Sequence, residues 1–322
     1  MEADPDPQGD TQTGEMRVRG FRRIIVLASM GLAVGATARA QTRFRLADGF
    51  PTIRSARICE ASGMAVSRRD PSKLWIVNDS GSPAELHLVG TDGVDFGSIT
   101  LQGLSNTDWE DLASFTLDGK HWLLVADTGD NDAKRPERTL WLLEEPAIPA
   151  DAGKPSATCG VSRRIRFRFA GGPRDCESVA VDPSERKILL ISKRTDPPEV
   201  HDLPLDPPAG QGIPTTRLLT TMRTNAPTAG LIPFRNQPTA LDINADRSLA
   251  AVLTYYGVFL FRRESGESWS EAFAREPVIL PPHMAAQAEC LAFSNDGKVL
   301  HVLSEGRNPP LIRYVSMAID GR

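Results

Sequence analysis

The chain has 322 residues, a net charge of −4, 40% hydrophobic residues and 24% charged ones, with 25 Pro and 26 Gly. The charges are interspersed, which excludes the basic field that a nucleic-acid backbone requires, so no nucleic-acid partner is expected. Abundant turn formers in an otherwise ordinary composition point to many short strands rather than long helices.

The first forty residues read as a leader. Arg17, Arg19, Arg22 and Arg23 precede an apolar run from Ile24 to Val34, which ends in Ala38-Arg39-Ala40. A basic start, a short apolar stretch and a small-x-small exit describe a secretory signal peptide over 1–40, too short to remain as a membrane span. Met1 to Glu15 is acidic, and Met16 is an alternative start. Arg22-Arg23 before Ile-Ile-Val-Leu faintly echoes a twin-arginine export signal. The expectation is an exported protein, periplasmic or extracellular, with 41–322 as one domain and no membrane span after cleavage. Export permits disulfides among Cys59, Cys159, Cys176 and Cys290. Cys59–Cys290 is one candidate bridge, and buried free thiols are the alternative.

Next comes Arg43-Phe44-Arg45-Leu46, whose polar–apolar alternation predicts a strand. One short sentence of sequence then recurs: an acidic residue, an apolar strand, a turn bearing Asp, a second apolar strand and a further polar group. The copies begin at Glu60, Glu110, Glu177, Thr239 and Glu289, with turns at Asp70-Pro71, Asp118-Gly119, Asp182-Pro183, Asp246-Arg247 and Asp296-Gly297. Self-similarity with a spacing near fifty residues is the signature of a radial array of sheets. The prediction is an all-β, five-bladed β-propeller, with six blades as the alternative.

Outer strands are expected at 85–89 and 96–101 in the first unit, and at 139–143 and 164–169 in the second. The third unit should add 200–203 and 217–222, and the fourth 258–262 and 278–280. Residues 265–276 form either a short helix or a hairpin tip. The last unit can supply only three strands, so the N-terminal strand is predicted to close its sheet and hide two edges. Arg164, Arg166 and Arg168 alternate with apolar residues and read as a solvated edge.

In an antiparallel blade, the residue before strand one and the residue after strand two lie on the same face of the ring. The entering positions are Glu60, Glu110, Glu177, Thr239 and Glu289. The returning ones are Asp79, Asp127, Lys193, Tyr255 and Glu305, with Asp111, Asp130 and Asn131 close by. Two carboxylates ~7 Å apart at an effective dielectric of ~20 repel by about 2.4 kcal/mol. A cluster therefore needs a cation, proton uptake or internal partners such as Lys193 and Arg307. Oxygen donors without His or Cys suit Ca²⁺ or Mg²⁺. The candidate metal ligands are Glu60, Glu110, Glu177, Glu289, Asp79, Asp127, Asp130 and Asn131, with Ca²⁺ the favoured ion. Salt-bridged or water-bridged structural glutamates are the alternative. The stretch from Asp127 is not an EF-hand, since Asp132 and Arg138 stand where Gly and Glu would be required.

No nucleophile elbow or phosphate loop is present, and His87, His121, His201, His283 and His301 are scattered. Asp108-Trp109-Glu110-Asp111-Leu112-Ala113, followed by Val125-Ala126-Asp127-Thr128-Gly129-Asp130-Asn131 and then Arg135 or Arg138, resembles a group of secreted bacterial propellers. These are the phytase-like ("esterase-like activity of phytase") proteins and the related SdiA-regulated type. The resemblance implies a calcium-dependent propeller and phosphoester hydrolysis. It also implies Glu60, Glu110, Asp111, Glu177 and Glu289 as metal ligands, with Lys193 or Arg135 meeting phosphate; Thr239 interrupts that ring. The catalytic candidates are Glu110, Asp111 and Lys193. The expected function is a monomer whose acidic channel mouth binds a divalent cation and a small or extracellular ligand. Calcium-dependent phosphoester hydrolysis and a purely structural channel are the alternatives.

Overall fold

The computed structural model describes residues 43–148, 158–208, 210, 212–223 and 236–317. The signal peptide expected over 1–40 lies outside these residues, as does most of the connection at 224–237. Apart from the first strand and the two-residue strand at Thr158–Cys159, the strands fall into antiparallel sheets in chain order. Blade 1 holds β2 (Ala61–Val66), β3 (Lys73–Asn78), β4 (Glu85–Gly90) and β5 (Asp95–Leu101). Blade 2 holds β6 (Trp109–Leu117), β7 (Lys120–Asp127), β8 (Arg138–Glu144) and β10 (Arg163–Phe167). Blade 3 is β11 (Cys176–Asp182), β12 (Lys187–Ser192), β13 (Glu199–Pro204) and β14 (Arg217–Thr221). Blade 4 is β15 (Pro238–Ile243), β16 (Leu249–Thr254), β17 (Val258–Arg262) and β18 (Val278–Ile279). Blade 5 contains β19 (Ala288–Phe293), β20 (Val299–Ser304) and β21 (Ile312–Met317), completed by β1 (Arg43–Leu46).

The protein is thus an all-β, five-bladed propeller, closed as expected by its N-terminal strand, which pairs antiparallel to β21 from Arg43↔Met317 to Leu46↔Tyr314. The inner strands meet in cyclic order, β2 against β6, β6 against β11, β11 against β15, β15 against β19, and β19 against β2. One helix, α1 (Trp269–Ala274), occupies the undecided 265–276 stretch, capped by Ser268 and Glu271. A strand missed in the sequence, β9 (Thr158–Cys159), adds in parallel to β5 and carries a segment of blade 2's excursion onto blade 1. No described helix is long and apolar enough to cross a membrane.

Side-chain alternation explains why the second strands read as unbroken apolar runs. Ile188 and Leu190 of β12 face the cluster shared with blade 2, whereas Leu189 and Ile191 face the cluster shared with blade 4. Leu124 and Ala126 of β7 likewise face blade 3, and Leu123 and Val125 face blade 1. Both faces of each sheet are buried, so both positions of the two-residue period are apolar. The result is five apolar clusters, one at each junction between blades. At the axis the inner strands come close: a Cβ built on Gly63 would lie 2.6 Å from the backbone of Asp111 and Leu112. The recurring turn aspartates have a local task. Asp70, Asp182, Asp246 and Asp296 accept from the backbone N–H two residues on, closing four of the five inner hairpins.

Phe44 carries the closure energetically: it is buried and meets Phe293 with ring centroids 6.3 Å apart. Phe44→Ala is expected to cost about 3 kcal/mol, read as a lower urea midpoint with an unchanged slope. A loss under ~1 kcal/mol would show that this strand does not hold the ring shut.

Candidate functional site at the channel mouth

All five inner strands carry a β-bulge at the same height. The register shifts between Ala61 and Gly63, Trp109 and Asp111, Cys176 and Ser178, Pro238 and Ala240, and Ala288 and Cys290. The bulged residues are Ser62, Glu110, Glu177, Thr239 and Glu289. A bulge re-aims its side chain out of the sheet's alternation, here toward one end of the channel. Ser62 and Thr239 seal their junctions by donating to the carbonyls of Trp109 and Ala288, each at 2.7 Å. The other three positions present carboxylates.

This register moves two residues relative to the sequence reading. Glu60 is not the counterpart of Glu110. It lies two residues earlier, level with Asp108 and Asp175, and is exposed. On the returning side, Asp127 pairs with Trp109 inside the ladder, and Thr128 takes the level of Asp79, Lys193, Tyr255 and Glu305. The same offset removes the rationale for a Cys59–Cys290 bridge, since Cys290 is level with Gly63 rather than Cys59; all four cysteines are free.

The structure brings two carboxylate triads together. Asp79, Asp108 and Glu110 form one, and Glu110, Asp175 and Glu177 the other; within each, one oxygen per residue lies within 4.8 Å of the rest. Asp108 and Asp175 were not singled out as ligands from the sequence. A signal was present in the repeated Asp-x-Glu of Asp108-Trp109-Glu110 and Asp175-Cys176-Glu177, which puts two acids per blade at the mouth.

The partners of these acids differ. Asp175 accepts from Asp130 N at 2.9 Å and pairs with Arg194 Nε at 2.7 Å. Glu177 is ion-paired with Lys193. Glu110 is 5% exposed, and no hydrogen bond or ion pair among the described residues reaches its carboxylate. Gly129 makes room for it, because a Cβ there would collide with Glu110 Oε1 and Asp108 Oδ2. Burial pushes the Glu110 carboxyl well above the usual range, reinforced by the charges of Glu177, Asp79, Asp108 and Asp175. Burial likewise raises Asp79 and Asp108, helped by Glu289 and Asp79 respectively.

Across the mouth runs a hydrogen-bonded chain. Lys193 Nζ donates to Tyr255 Oη at 3.1 Å, and Tyr255 Oη donates to Glu289 Oε1 at 2.5 Å. Glu305 bonds Glu289 in turn, and burial with that bond lifts Glu305 to about 8. Glu289 therefore stands outside both triads, joined to Tyr255 and Glu305.

The remaining candidates are engaged elsewhere. Asp127 Oδ1 accepts from Arg135 Nη2 at 2.8 Å. Asp130 Oδ2 accepts from Arg135 N at 2.9 Å and from the Arg138 guanidinium, and Asn131 accepts from Arg194. Asp111 lies deeper and is fully buried: Oδ2 accepts from Val179 N at 2.7 Å and Leu241 N at 3.2 Å, and Oδ1 from Leu112 N at 2.8 Å. It binds three inner strands together and faces neither triad. Asp242 repeats the device, accepting from Phe293 N and Ile243 N at 2.8 Å each; burial lifts it to about 6 against the opposing charge of Arg68. A cleft of about 290 Å³ lies away from the mouth, between β14 and α1, but its cations Lys187 and Arg217 are already paired with Asp202.

No family model matches the chain, and no curated protein does. Its fold is similar to solved structures. A nidogen/laminin complex aligns at 14% identity over 77% of this chain and 73% of that one, with a TM-score of 0.42. Kuenenia stuttgartiensis hydrazine synthase aligns at 12% identity over 81% and 72%, with a TM-score of 0.41. U3-55K aligns at 13% identity over 84% and 98%, with a TM-score of 0.45. At these TM-scores the likenesses carry no argument about fold or function.

Two outcomes follow from the buried acids. Asp111→Ala orphans three backbone N–H groups at ~1–3 kcal/mol each. An overall loss of about 3 kcal/mol or more is expected in denaturant titration, with Asp111→Asn milder. The second concerns pH. Asp79, Asp108, Glu110 and Glu305 have folded-state values raised above their unfolded ones, so the native state binds more protons and stability falls as pH rises through that interval. With chelator present, the melting temperature should decline from about pH 5 to about pH 8. Aspartates held low, such as Asp130 and Asp182, contribute their change only in acid below that window. A flat or rising profile would contradict the burial of these groups.

Proposed function

We propose that the chain is an exported propeller whose mouth binds a hard divalent cation, Ca²⁺ in first place, and through it a small ligand bearing oxygen donors. The observation that carries this is Glu110, a buried carboxylate that no described residue hydrogen-bonds or ion-pairs, common to two triads of oxygen donors. Oxygens up to 4.8 Å apart suit an ion with bonds of ~2.3–2.6 Å, since opposed ligands then stand about twice that distance from one another. Asp79, Asp108, Glu110, Asp175 and Glu177 are the ligands of this reading. A cation there would replace the protons that burial forces onto the cluster. Asp79 and Asp108 are only half-buried, which leaves one side of the first triad facing solvent, where a ligand can complete the coordination shell. Export rests on the basic, apolar and small-residue succession of residues 17–40.

The shared position of Glu110 favours one second reading, the phosphoesterase that the phytase-like resemblance implies. A carboxylate common to two triads can bridge two cations, and paired cations polarise a phosphoryl group and activate water. Binding stands first because the sequence supplies no unmistakable nucleophile or base.

Ca²⁺ at about a hundred times its dissociation constant should stabilise the fold by ~2.7 kcal/mol, a rise of roughly 5–10 °C in melting temperature. Glu110→Gln should abolish the rise. Chelator and Ca²⁺ giving identical melting curves would refute the cation site. Turnover of a phosphomonoester with Ca²⁺, lost in Glu110→Gln, would move the assignment to the second reading.

A further inference from the structure

Lys193 is a buried cation ion-paired to a triad carboxylate, and its surroundings give it two places to be. Its ammonium is paired with Glu177, one ligand of the second triad, and stands 4.0 Å from Glu289 Oε1. Tyr255 Oη accepts from it at 3.1 Å while donating to that same Glu289 oxygen. Burial disfavours its charge, but Glu177, Tyr255 and Glu289 outweigh burial and hold it ammonium. The side chain is buried, so water cannot take over from a carboxylate. A displacement of about 1 Å toward Glu289 would reach charge-assisted hydrogen-bond range, ~2.7–2.9 Å. Tyr255 touches both ends of that path.

We infer that Lys193 is a resident counter-cation that holds Glu177 until a divalent ion takes it, then transfers to Glu289 through Tyr255. This rests on the cation site proposed above and adds its control. An ammonium and a divalent ion on one carboxylate repel, so each state excludes the other, and the ion's apparent affinity is reduced by the work of moving Lys193. Glu289, which belongs to neither triad, acts as the receiving carboxylate.

The test is calorimetric titration of Ca²⁺ into wild type, Lys193→Met, Glu289→Gln and the double variant at one fixed pH. Removing the competitor should tighten Ca²⁺ at least tenfold. Removing the receiver should weaken it several-fold, although Glu289 does not ligate the ion. In the Lys193→Met background, Glu289→Gln should have no effect. That last comparison separates transfer from simple loss of nearby negative charge, which would weaken binding in both backgrounds. Ca²⁺ binding with unchanged or weaker affinity in Lys193→Met, or a Glu289→Gln effect that persists without the lysine, overturns the inference while the cation site stands. Absence of Ca²⁺ binding in every variant overturns both. Should Lys193→Met fail to fold, Glu289→Gln, which preserves shape, and Tyr255→Phe still decide: both must weaken Ca²⁺, and unchanged affinity in either refutes the transfer.

Discussion

A ring of sheets leaves one edge of every blade facing the axis, where no strand remains to pair with it. Buried N–H groups on those edges need acceptors, and the channel is too narrow for bulky ones. Asp111 and Asp242 meet this need, taking five backbone N–H groups from four of the inner strands. Carboxylates at the axis are therefore not in themselves functional. Donors distinguish the cases. Asp111 accepts three backbone bonds, Asp127 and Asp130 are bound by Arg135 and Arg138, and Asp175 has Arg194. Glu110 has neither, and it sits where two triads meet. The same fold thus uses one chemistry, a buried carboxylate, first as mortar and then as an unfilled site.

The bulges connect the two uses. Without a bulge, residues two apart on an inner strand would repeat the same orientation, and the mouth would receive one side chain per blade. A bulge at each inner strand turns an extra residue toward the opening, so that blades 2 and 3 each deliver an acid pair, Asp108 with Glu110 and Asp175 with Glu177. Blades 1 and 4 place hydroxyls at the bulge, and these lock the junctions instead. The acids come from blades 1, 2, 3 and 5, so the lysine from blade 3 offsets only part of the load, and no described partner reaches Glu110.

Much of the architecture was legible because it is repetitive. Strands buried on both faces appear as short apolar runs, hairpins announce themselves through Asp70, Asp118, Asp182, Asp246 and Asp296, and a last unit short of one strand implies closure from the N-terminus. The two-residue strand β9 left no trace, having no room for a period. The site was legible in outline only. Glu60 was matched to Glu110 because a shift of two residues preserves the alternation of strand faces, so hydrophobic pattern cannot detect it. Ser62, the true counterpart, carries no charge to mark it. Asp127, Asp130 and Asn131 read as cation ligands because the arginines that hold them, Arg135, Arg138 and Arg194, come later in the chain, and sequence spacing does not reveal such pairings.

The energetic balance assigns the site its place in the molecule. Raised carboxyls at the mouth withdraw stability at neutral pH, while five apolar junctions supply it, each sharing residues with no more than two blades. A domain whose net stability is only ~5–15 kcal/mol can hold several unneutralised buried acids only if the rest of the ring does not depend on them. Here that condition is met by position: the triads lie at the bulges and beyond them, above the Asp111 tie, and outside every apolar cluster. A cation arriving at the mouth can thus change the charge state of the opening while the blades beneath keep their packing.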